Sequence, residues 1–104
     1  QVIGTYNGKP LYRKVYESTA YTNTYSVPAA NVSDIVNASV MVKRRDYPIF
    51  QPVPSRINDG YGIDFRMMEI VGNNINVNIT FGSSYSSSVV TKVMIILEYT
   101  KTTD

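Results

Sequence analysis

The chain has 104 residues, with ten basic and eight acidic side chains and a net charge of +2, so it holds one domain whose core needs no staples. It has no cysteine and no histidine, which excludes disulfides and thiolate zinc sites and removes the commonest general base and transition-metal ligand. The balanced charge argues against a nucleic-acid surface, and no apolar run approaches the roughly 20 residues of a membrane helix. Nine tyrosines, many valines and isoleucines and few good helix formers predict an all-β domain. Ser, Thr and Asn make up more than a quarter of the chain, which favours turns and a wet, weakly charged surface.

Taken in chain order, Val2 to Tyr6 reads as a short strand that reverses at Asn7-Gly8, the strongest two-residue hairpin signal. Pro10 marks a strand end or edge. From Leu11 to Tyr16 the residues alternate, with Leu11, Arg13 and Val15 on one face and Tyr12, Lys14 and Tyr16 on the other. Neither face is wholly apolar, which points to a sheet edge or an oligomer seam. A short strand over Asn23–Val27 ends at Pro28. Asn31 or Ser33 is a candidate cap for one helical turn over residues 31–36, before a long strand to about Arg45. Lys43-Arg44-Arg45 reads as a solvated basic rim beside Asp46. Three prolines between Tyr47 and Pro54 predict an extended loop or edge segment that packs through Ile49, Phe50 and Val53.

Asn58-Asp59-Gly60 predicts a turn, followed by a strand over Ile63–Val71. Gly72-Asn73-Asn74 reverses the chain into its cleanest alternation, where Ile75, Val77, Ile79 and Phe81 interleave with Asn76, Asn78 and Thr80. A serine-rich loop then leads to the last strand, Val89 to about Lys101. There Val93, Ile95, Leu97 and Tyr99 face one way and Met94 and Ile96 the other, so both faces are expected to be covered. Together these elements predict an antiparallel β-sandwich, jelly-roll-like, of about seven strands.

Chemistry is sparse. Glycoside hydrolysis needs two facing carboxylates, and Glu17, Asp34, Asp46, Asp59, Asp64 and Glu69 show no spacing that pairs any two. Asp59 and Asp64 lack the spacing of a calcium loop, and no phosphate loop or nucleophile motif is present. The expectation is a protein that is not an enzyme and has no catalytic, cofactor or metal site. Saccharide recognition asks for less: an exposed ring ringed by amides, hydroxyls and charged groups. The loops offer Tyr47, Arg56, Asn58, Asp59, Tyr61 and Tyr85 as candidate ligand-binding residues. Tyr12 and Tyr16, on predicted strands, are structural, and with Met94 and Ile96 they are candidates for an oligomer interface.

The two ends of the chain carry a resemblance. Gly4-Thr5-Tyr6-Asn7-Gly8-Lys9-Pro10-Leu11-Tyr12-Arg13-Lys14 opens it, and Leu97-Glu98-Tyr99-Thr100-Lys101-Thr102-Thr103-Asp104 closes it. This resembles the C-terminal head domain of phage and prophage tail-fibre or baseplate-type proteins, with their GTW-x-DGKP-I/L-Y-x-K opening and L-x-YTKTTD ending. Tyr6 stands for the usual Trp, Asn7 for Asp, and the opening is one residue shorter. The resemblance implies a homotrimeric, extracellular virion fibre head that recognises a host-surface glycan and contacts other tail or baseplate proteins. Gln1 in place of Met adds the expectation of a C-terminal piece of a longer fibre protein. Two other readings are a structural cap or trimerisation domain without a ligand, and a carbohydrate-binding module of a bacterial surface protein.

Overall fold

The computed structural model describes residues 2–45, 50–53, 63–83 and 85–102. Among them the chain runs through eight strands and no helix: β1 (Val2–Tyr6), β2 (Lys9–Ser18), β3 (Thr24–Pro28), β4 (Val32–Arg44), β5 (Phe50–Val53), β6 (Ile63–Val71), β7 (Asn74–Phe81) and β8 (Val90–Lys101). They form two antiparallel sheets, one of five strands in the order β1-β2-β8-β4-β5 and one of three in the order β3-β7-β6. The β3–β7 pair lies between the members of the β2–β8 pair along the chain. That nesting is the rolled-ribbon logic of a jelly roll.

Alternation closes the sandwich. Ile75, Val77 and Ile79 of β7 are fully buried, as are Val93, Ile95 and Leu97 of β8. Tyr25 and Val27 of β3 and Val40 and Val42 of β4 complete the same core. Each such side chain contributes about 1.5–3 kcal/mol on burial, so this face dominates the driving force for folding. Two hairpins set the registers. Asn7 and Gly8 both take positive φ, 51° and 78°, as a type I′ turn requires. Gly72, at φ 57°, opens the two-residue loop between β6 and β7 in the manner of a type II′ turn.

The expected helical turn over residues 31–36 is strand instead, since β4 begins at Val32. The β-branched residues Val32, Ile35 and Val36 prefer the pleat, and Asn31 serves as a left-handed corner residue at φ 59° rather than a cap. Its carbonyl accepts the Thr102 N–H at 2.7 Å, tying that corner to the end of β8. The proline-rich segment does contribute an edge strand, β5, with Pro52 opposite Met41. Arg44 departs from the solvated rim expected of it: it is buried at 4% exposure, while Arg45 is exposed. Nor is β2 an edge, because β1 pairs along its outer side.

The β8 strand sits between β2 and β4, and its second face is only half-covered. There Ile96 lies between Val15 and Ser39, and Met94 between Glu17 and Met41. Val15 is 50% exposed. The result is a modest apolar strip on the outer face of the five-stranded sheet.

Candidate functional site

The outer face of the three-stranded sheet is built from short polar side chains. Period-2 alternation buries Ile75, Val77 and Ile79 and so turns Asn74, Asn76 and Asn78 outward. On one side β3 brings Ser26 opposite Asn76 and Thr24 opposite Asn78. On the other, β6 brings Glu69 opposite Asn76 and Met67 opposite Asn78. The Ser26 hydroxyl donates to Asn76 Oδ1 and the Thr24 hydroxyl donates to Asn78 Oδ1, both at 2.5 Å. These bonds fix the amide orientation. Each hydroxyl has spent its one proton on an amide oxygen, so both NH2 groups and both hydroxyl lone pairs remain for solvent or a ligand.

A β-bulge between Phe65 and Met67 breaks the flatness of this face. The extra residue is Arg66, which is exposed, and such bulges commonly re-aim a side chain. Beside it lies a depression of about 220 Å3 lined by Asn23, Thr24, Arg66, Met67, Asn78 and Ile79. Met67 is 52% exposed and offers an apolar floor beside the amides. Two residues upstream of Asn23, the Tyr21 ring is 38% exposed and rests on Phe81, with centroids 4.9 Å apart. Its hydroxyl donates to the Tyr85 carbonyl at 3.3 Å. Oriented amides, hydroxyls and one guanidinium are groups that hold a polyhydroxylated ligand by directional hydrogen bonds, whereas the Tyr21 ring, packed on Phe81, belongs to the core-facing side of β7.

A wider, more open depression lies at Glu17, Ser18, Thr19 and Lys92. Its two charges pair with each other at 2.9 Å, which leaves little unsatisfied polarity to recruit a ligand. Among the described residues no group of three or more carboxylates gathers as a cation site would require.

Of the residues singled out in the sequence, Tyr47, Arg56, Asn58, Asp59 and Tyr61 lie outside the described residues. Tyr85 is corrected: it is 5% exposed and packs against Phe81 at 5.1 Å, so its ring caps the core and offers no open face. The four interface candidates also divide. Tyr12 and Tyr16 pack against the core, whereas Met94 and Ile96 lie on the opposite face of the same sheet. Register parity separates them, so they form no single surface. The amide face itself was visible only in part. Asn76 and Asn78 announce a wetted face, but their partners Ser26 and Thr24 are 50 and 54 residues away in the chain.

The structure also joins the two ends of the chain. Tyr12 stacks on Tyr99 with ring centroids 5.9 Å apart, and the Lys101 ammonium lies 4.4 Å over the Tyr12 ring. Lys9 Nζ donates to the Lys101 carbonyl at 3.4 Å. Compared with known protein families, with characterised proteins and with solved structures, the chain finds no match.

Proposed function

We propose that this chain is a non-enzymatic recognition domain, the head of a phage or prophage tail fibre, which binds a host-surface saccharide. The observation that carries the reading is the pair of oriented amides, Asn76 and Asn78, of which Asn78 lines a shallow depression with Arg66 and Met67. A site of this kind grips hydroxyl groups weakly. Several copies on one rigid fibre would raise the avidity by 10²–10⁴ without new contacts. The resemblance of the opening and closing segments supplies the fibre context, and with it an extracellular virion location and neighbouring tail proteins as partners.

The test is a glycan array probed with the chain and with its Asn76→Ala/Asn78→Ala variant. Retention of at least one neutral or acidic glycan by the parent, lost in the variant, is the expected result. Equal retention by both, or by neither, removes the amide face from the account.

A second reading has its own support. The strip formed by Val15, Met94 and Ile96 suits a contact between copies, and a domain that only trimerises a fibre would need that strip and no sugar site.

A further inference from the structure

The depression beside Asn78 has a defined hydrogen-bonding character. Thr24, Arg66, Met67 and Asn78 line it together. The Thr24 hydroxyl spends its proton on Asn78 Oδ1, so Thr24 Oγ1 has only lone pairs left to offer. The same bond leaves the NH2 group as the free end of the Asn78 amide, and that group only donates. The exposed Arg66 guanidinium likewise donates and cannot accept. Met67, 52% exposed, adds an apolar surface. The rim is pinned as well, because the Ile79 N–H donates to the Asn23 carbonyl at 2.9 Å.

At about 220 Å3 the depression is smaller than the roughly 300–1,000 Å3 of sites that enclose a whole ligand, so it takes one substituent of a sugar. An acetamido group answers this lining part by part. Its carbonyl oxygen accepts from Asn78 and Arg66, its N–H donates to Thr24 Oγ1, and its methyl rests on Met67. A bare hydroxyl can meet the polar groups but leaves Met67 without an apolar partner. A carboxylate has no proton for Thr24. It would also face Asp64 and Glu69, which stand opposite Thr80 and Asn76, on either side of Met67 along the same face. Two carboxylates against one guanidinium do not recruit an anion.

We propose that this depression recognises the acetamido group of an N-acetylated amino sugar. The proposal rests on the amide face being a saccharide site and names the class of sugar it takes.

The experiment is an NMR titration of the chain with N-acetylglucosamine and, separately, N-acetylgalactosamine, against glucose, galactose and glucuronic acid. At least one acetamido sugar is expected to shift the Asn78 side-chain NH2 and Met67 methyl signals. It should bind about fourfold or more tightly than its plain hexose, the worth of one CH2-sized apolar contact. Met67→Ser should remove that advantage and leave hexose binding unchanged. Thr24→Val, which deletes the acceptor, should weaken acetamido binding about tenfold, and Thr24→Ser, which keeps the hydroxyl, should restore it. Both side chains are exposed, so these variants keep the fold. Equal or stronger binding of a plain hexose or of glucuronic acid at these signals overturns the acetamido assignment and leaves the amide face a saccharide site of another kind. If none of the five sugars moves Asn76 or Asn78, the saccharide reading of this face falls, and the proposal with it.

Discussion

At the scale of single residues, Tyr25 shows how a buried hydroxyl couples the fold to pH. Its ring is 2% exposed, and its hydroxyl donates to the Ala20 carbonyl at 2.7 Å. Burial raises its pKa above the ordinary tyrosine value of about 10, only partly opposed by the Thr22 N–H donated to it. The folded chain therefore keeps this phenol neutral at a pH where the unfolded chain has begun to ionise it. Stability should be level below about pH 10 and fall as pH rises from there toward the folded value. Tyr99, raised by burial too, adds to the same slope. Tyr25→Phe should flatten the decline between pH 9 and 11 in urea denaturation, and should cost about 1 kcal/mol at neutral pH for the lost hydrogen bond. An unchanged slope would mean that Tyr25 is not the group responsible. In the core, Leu97→Ala should lower stability by about 2–5 kcal/mol, read as a fall in the urea midpoint. Val15→Ala, at the half-exposed outer face, should change it by less than about 0.5 kcal/mol.

At the scale of elements, the turns and alternations explain why most strands were legible. The Asn7-Gly8 turn marks one hairpin and Gly72-Asn73 another, and the run from Ile75 to Phe81 fixes which face of β7 is dry. What stayed hidden depends on pairings between distant segments. Nothing local announces that Ser26 meets Asn76, or that Lys101 lies over Tyr12. Tyr85 misled for a different reason. Its serine-rich setting reads as wet, while Phe81, four residues earlier, draws its ring into the end of the sandwich. The stretch at 31–36 misled because Asn and Ser suit both a helix cap and a strand corner, and only the β-branched residues that follow distinguish them. The hairpin itself can be tested. Gly8 sits at φ 78° with open space around its Cα, so Gly8→Ala meets no clash and registers backbone strain alone. A loss of about 1 kcal/mol is expected, with the m-value unchanged.

At the scale of the molecule, the outer strip of Val15, Met94 and Ile96 bears on how many copies act together. If the strip is a seam, light scattering should give three times 11.7 kDa, and Ile96→Asp should return a single copy with its β-sheet circular dichroism intact. A single copy for both proteins would make the strip ordinary surface and weaken the fibre-head reading. The placement of β8 has another consequence, for how the protein is born. Without β8 the five-stranded sheet is two unconnected hairpins, β1-β2 and β4-β5. Yet β8 is the last of the eight strands to leave the ribosome. A chain truncated before β8 leaves both hairpins without that shared partner, so limited proteolysis is expected to cut it faster than the full chain.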